Sequence, residues 1–140
     1  MEYGIGVALA LIVSCFARAT GLDRDRAFYS TMAIVIASYY VLFAVMGGSS
    51  NALVVELLVM VAFVLVAVLG FRFNLWLVVV CLAAHGVLDA FHGLVVANPG
   101  VPEWWPAFCG TFDVGAAGFL AYLLLRSELA ARNAREASQP

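Results

Sequence analysis

Residues 52–96 read ALVVELLVMVAFVLVAVLGFRFNLWLVVVCLAAHGVLDAFHGLVV, and they decide the fold. Two apolar runs, 52–70 and 74–96, each match the roughly 20 residues needed to cross a hydrocarbon core. Only Phe71-Arg72-Phe73-Asn74 marks the boundary between them. A break that short turns the chain straight back, so the two runs predict an antiparallel transmembrane hairpin.

Outward from this hairpin lie three more runs of similar length, at 3–19, 27–46 and 107–125. The first break, Gly21-Leu22-Asp23-Arg24-Asp25-Arg26, is charged, and it reads as a solvated turn with self-compensating charge. Gly47-Gly48-Ser49-Ser50-Asn51 is a small, polar turn. The last break, Ala97 to Pro106, holds three prolines and the pair Trp104-Trp105. The fold class predicted is an all-α integral membrane protein, a five-transmembrane-helix bundle with its N-terminus outside and its C-terminus cytoplasmic. Residues 1–126 form a single domain on this reading. Residues 127–140 are a polar cytoplasmic tail, expected to be a short helical extension ending in disorder. No internal repeat is visible.

Composition agrees. Of 140 residues 65% are hydrophobic and 11% charged, with a mean hydropathy of +1.03, whereas soluble domains carry about 25% charged residues. A net charge of −2 gives no reason to expect nucleic acid as a partner. Cys15, Cys81 and Cys109 are isolated, so neither a Cys-x-x-Cys redox motif nor a zinc ribbon is present. Their simplest role is as small apolar fillers. The start, Met1-Glu2, lacks the basic region of a signal peptide, so the first span is expected to be retained.

The arginines set the orientation. Arg18, Arg24 and Arg26 flank the first break, Arg72 lies in the third, and Arg126, Arg132 and Arg135 follow the last span. Alternate breaks share a side, so all seven fall together and, by the positive-inside rule, mark the cytoplasm. A wrong span count would have scattered them. Glu2, Tyr3, Trp104 and Trp105 then sit at the outer interface, where amphipathic aromatics anchor. The tryptophans act there either as simple anchors or as a lid. The small size and the absence of lysine point to a bacterial inner (plasma) membrane.

Five ionisable residues fall inside the spans: Glu56, His85, Asp89, His92 and Asp113. In span four Cys81, His85, Asp89 and His92 recur at helical spacing and share one face. A strip of small residues, Gly86, Ala90 and Gly93, runs beside them and admits a neighbouring helix. Span five repeats the pattern with Cys109 and Asp113 beside Thr111, Gly115 and Gly118. Counted inward from the outer ends, Tyr40, Glu56, Asp89, His92 and Asp113 lie in the outer half, with His85 nearer the midplane. Facing lipid would cost each several kcal/mol, so they should meet inside the bundle.

Three carboxylates then face two imidazoles, with every arginine at the other side. Such carboxylates must take up protons or bind a cation. Carboxylates with imidazoles suit zinc, iron or manganese better than copper(I). The candidate ligands are His85, Asp89, His92, Asp113 and Glu56, with Tyr40, Cys81, Cys109, Glu103, Trp104 and Trp105 around them. His85 and His92 are about 10.5 Å apart along a helix, too far to share one metal comfortably. Either Asp89 and His92 share a metal with Glu56 and Asp113, or Asp89 bridges two metals with His85 on the deeper one. Asp89-x-x-His92 has the i, i+3 spacing of four-helix di-metal sites, as a single short match. The plain alternative is packing: His85 pairs with Asp89, His92 snorkels outward, and Glu56 and Asp113 are protonated glue.

The His-box pattern of membrane desaturases is absent, as is the Gly-x-Ser-x-Gly motif of serine hydrolases. Three functions remain open. The first is cation binding, of protons or a divalent metal, for transport or sensing. The second is a membrane-embedded metal-dependent enzyme acting on a lipid or other apolar substrate. The third is a non-catalytic subunit. The expected partners are the lipid bilayer and either further copies of the chain or another membrane protein.

Overall fold

The structure, a computed structural model, describes residues 1–137. It is all-helical: α1 (Glu2–Thr20), α2 (Ala27–Met46), α3 (Ser50–Arg72), α4 (Trp76–Val95) and α5 (Trp105–Ala137). All five are long and apolar enough to cross a membrane, which fits an integral membrane protein. Long apolar segments become helices there because lipid offers no partner for backbone N–H and C=O groups.

Local chemistry ends each helix. Gly21, at φ 80°, closes α1 in the left-handed conformation that glycine adopts without strain. The Ser49 side chain caps α3 by accepting from the Ala52 N–H at 3.2 Å. Asp25 and Asn74 accept from the first N–H groups of α2 and α4. Pro106 sits in the first turn of α5, where its missing N–H costs nothing. That helix runs on past residue 125 to Ala137, as the helical extension expected after the last span. The side chain of Arg132 and residues 138–140 lie outside the described residues.

The helices alternate in direction. α5 packs between α1 and α4, α2 pairs with α3, and α4 packs against α3 and α2. Helix α1 meets α5 through Gly6, Ala10, Ser14 and Ala17, all buried. A Cβ at Gly6 would collide with Thr111 and the Phe108 carbonyl, so this small stripe lets two backbones touch. The crossing of α4 and α5 depends equally on Gly86 and Gly110. A Cβ on either would lie 2.8–3.1 Å from the other's carbonyl oxygen. Gly93 and Gly118, expected in the same stripes, face open space, and Ala90 is exposed.

The two ends of the bundle differ. At one, the α1–α2 and α3–α4 turns meet, with Arg26 donating to the Arg72 carbonyl and Arg18 and Arg126 lining one cleft. This is the arginine end. The other carries the α2–α3 turn and the α4–α5 loop, and is called the loop end below. The first turn departs from expectation in one respect. The Asp23 side chain is 1% exposed and faces Arg18 at 3.6 Å, while Leu22, Arg24, Asp25 and Arg26 are exposed. The left-handed turn at Gly21 folds this carboxylate back against the bundle instead of into solvent.

Candidate metal centre

Helix α4 presents Cys81, His85, Asp89 and His92 to the interior, all buried. Their 3.6-residue spacing puts them on one stripe, and the stripe then divides by height. Its lower part meets α5. There His85 Nδ1 lies 2.7 Å from Asp113 Oδ2 and 3.7 Å from Asp89 Oδ2. The Tyr40 hydroxyl on α2 donates to Asp89 Oδ1 at 2.6 Å. Cys109, one turn before Asp113, completes a group with His85, Asp89 and Asp113. One ligand atom from each of these four buried residues lies within 4.8 Å of the other three. The close Gly86–Gly110 crossing is what brings the two helices near enough for this.

The upper part meets α3 and the α4–α5 loop. His92 Nε2 lies 2.8 Å from Glu56 Oε1. The loop folds back so that Asn98 Nδ2 donates to the same oxygen at 2.9 Å and to the Tyr40 carbonyl at 3.0 Å. Gly100 lets the loop lie directly on the end of α2, because a Cβ there would collide with the Phe43 carbonyl. The Tyr40 ring stacks on His92, with centroids 3.9 Å apart. Tyr40 therefore joins both parts, by its ring and backbone above and its hydroxyl below.

The five expected ionisable residues thus enter one continuous polar core in two groups. Glu56 and His92 are engaged with each other and stand outside the four-residue group. Among the described residues the group that could hold a metal joins Asp89 and Asp113 with His85 and Cys109, not with His92 and Glu56. His92 does not snorkel; it is 3% exposed. Cys109 enters the group that can hold a metal, although its sequence reads as an apolar filler. Cys81 stays apart and donates to the Phe63 carbonyl at 3.5 Å. Asn98 was missed, since Asn98-Pro99-Gly100 signals only a turn. Trp105 packs against Tyr39 and Phe43, while Trp104 remains half exposed. Glu103 is exposed at the loop end.

Asp89 Oδ2 and Asp113 Oδ1 are buried without a hydrogen-bond partner. Buried polar atoms nearly always have one, so an orphan needs a proton, a water or an ion. Imidazole, thiolate and two carboxylates are a ligand set suited to a divalent transition metal. Ligand atoms at 2.0–2.3 Å from a tetrahedral ion stand about 3.3–3.7 Å apart. The His85–Asp113 contact at 2.7 Å would open by under about 1 Å as an ion replaced the shared proton.

Two clefts touch this group. One, of about 340 Å³, starts at Tyr3 and Glu103 and ends on Asp89. The other, of about 600 Å³, is apolar, lies between α1, α2 and α5, and ends on Cys109. These features define an all-helical bundle of helices long and apolar enough to cross a membrane, with a buried His/Asp/Cys group that could hold a metal. Comparison with known proteins adds no relative: no family model, no curated protein and no solved structure matches the chain.

Proposed function

We propose that the chain is an integral membrane protein that holds one divalent metal ion between His85, Asp89, Cys109 and Asp113, for metal sensing or transport. The observation that carries this is the convergence of four buried ligand atoms within 4.8 Å. Two of the carboxylate oxygens are left without partners. The thiol shifts the choice of ion towards zinc or iron and away from manganese. The positive-inside rule, applied to the arginine end, puts that end in the cytoplasm and the loop end outside, in a plasma membrane. Towards the arginine end the buried residues of α4 and α5 are Val78, Cys81, Leu82, Ala116, Ala117 and Leu120, and the buried polar side chains Ser14 and Ser30 carry no charge. A single chain therefore offers the ion a dead end, which favours sensing; passage across the membrane would call for a second copy or a partner protein.

A membrane-embedded enzyme is the second reading, favoured by the apolar cleft that ends on Cys109. A lipid or other apolar substrate could approach along it, and the metal would act as Lewis acid or activate water. One protein ligand would have to give way, since catalytic metals keep an open position.

Metal analysis of detergent-purified protein tests the site. Stoichiometric zinc or iron is expected in the wild type and in His92→Ala. It should be lost in His85→Ala, Asp89→Ala and Asp113→Ala. Absence of metal from the wild type, with unchanged stability in these variants, would overturn the proposal and leave packing or protonation. Lipid turnover against flux into liposomes then separates enzyme from carrier. Labelling of Asn51→Cys and Ala97→Cys, both exposed at the loop end, from outside intact cells checks the orientation.

A further inference from the structure

An ion can reach a centre built of buried ligands only by a defined route, and one cleft has the chemistry for it. The 340 Å³ cleft is lined by Tyr3, Asp89, Ala90, Glu103, Gly110 and Thr111, with no basic side chain among its lining residues. Glu103 is exposed and also lines the neighbouring 580 Å³ cleft with His92 and Asn98, so one carboxylate stands at both openings. The cleft ends on Asp89, itself 2% exposed, whose Oδ2 has no hydrogen-bond partner. That oxygen is also the one 3.7 Å from His85 Nδ1. A Cβ added to Gly110 would lie 3.6 Å from it, at ordinary van der Waals distance, so this oxygen lies just behind the cleft wall.

We propose that this cleft is the loading route of the metal centre. Glu103 gathers the hydrated divalent cation at the mouth, and Asp89 Oδ2 is the first ligand to take it. From there the ion passes to His85, Asp113 and Cys109, losing water as each protein ligand replaces one. Glu103 is a positioning residue on this scheme and no part of the finished coordination shell. The inference rests on the metal reading above, and the two can fail separately.

Stopped-flow loading of metal-free, detergent-purified protein with Co²⁺ tests it, read by the absorbance of the cobalt–thiolate bond at Cys109. Glu103→Gln should slow loading about tenfold at low ionic strength, the effect of one carboxylate about 6 Å from a doubly charged ion in water-like surroundings. Added salt should erase the difference. Equilibrium affinity should stay within about twofold of wild type, because Glu103 is not a ligand. Ala90→Phe, on an exposed position at the cleft wall, should also slow loading without changing affinity. Glu128→Gln, an exposed carboxylate at the other end, should load as wild type does. Wild-type loading rates in both Glu103→Gln and Ala90→Phe would overturn the route while leaving the metal centre intact. Wild-type protein that takes up no Co²⁺ would overturn both. An affinity loss in Glu103→Gln that matches its rate loss would make Glu103 a ligand and overturn its assigned role.

Discussion

Two imidazole–carboxylate pairs of nearly equal length stand on one helix, His85–Asp113 at 2.7 Å and His92–Glu56 at 2.8 Å. Their surroundings differ in what they leave unsatisfied. Around His92, Glu56 Oε1 takes a second donor from Asn98, and Tyr40 stacks on the ring. Around His85, the thiol of Cys109 stands nearby and two carboxylate oxygens lack partners. A pair whose acceptor is filled by a returning loop locks the bundle. A pair left short of donors is prepared for a ligand. Distance alone would not have separated them.

The contrast can be broken most sharply by acidity. Metal binding at the His85 group must displace protons from imidazole and thiol, so affinity should rise about tenfold per pH unit for each proton released. The sign is fixed: acid releases the ion, alkali tightens it. His92→Ala should leave this slope unchanged. Titration of Co²⁺ affinity between pH 6 and 8 measures it, and a flat profile in the wild type would erase the distinction between the pairs.

Next in size is the locking role. Glu56→Ala removes the acceptor shared by His92 and Asn98 and should cost about 3–5 kcal/mol, the usual loss when one partner of a buried pair is deleted. Glu56→Gln, which keeps an acceptor oxygen, should cost about 1 kcal/mol. Thermal unfolding in detergent reads both, and equal losses would mean that Glu56 serves as charge and not as acceptor.

Packing gives a third test. Gly86→Ala places a methyl 2.8 Å from the Gly110 carbonyl, between backbones that cannot yield. It should destabilise the protein by about 1–3 kcal/mol and weaken metal binding by moving α4 from α5. Gly93→Ala, with nothing within 4 Å, should be neutral. Smallest is Tyr40→Phe, which removes the donor to Asp89 Oδ1; loss of such a ligand-orienting bond lowers metal affinity about tenfold. An equal loss in Asn98→Ala would mean that the two groups act as one.

Much of this was legible beforehand, for reasons that differ by residue. The spans at 27–46 and 52–70 could be read because membrane thickness sets helix length locally. The shared face of His85, Asp89 and His92 followed from the helical repeat. Burial of Glu56 and Asp113 followed from the cost of charge in lipid. Cys109 was placed around the site and not among its ligands because a thiol reads alike as filler and as ligand, and Asp89 and His85 on α4 lie 20 and 24 positions away in the chain. Asn98 escaped because a turn signal does not say where the turn lands. The stripe Gly6, Ala10, Ser14 and Ala17 was readable as a helix contact by its spacing and went unremarked. Asp23 was misplaced because alternating charges look solvated until a glycine turns one of them inward.

The sequence by itself determined five membrane-length helices, the sorting of charges along them and the inward face of α4, because each depends on length or on a repeat within one segment. Only the tertiary structure decided which carboxylate meets which imidazole, and that a thiol joins one pair while a loop amide joins the other. Those pairings depend on how far each helix is rotated and slid against its neighbour. That is set by backbone contacts such as Gly86 on Gly110 and Gly100 on Phe43, between residues far apart in the chain, which no single helix encodes.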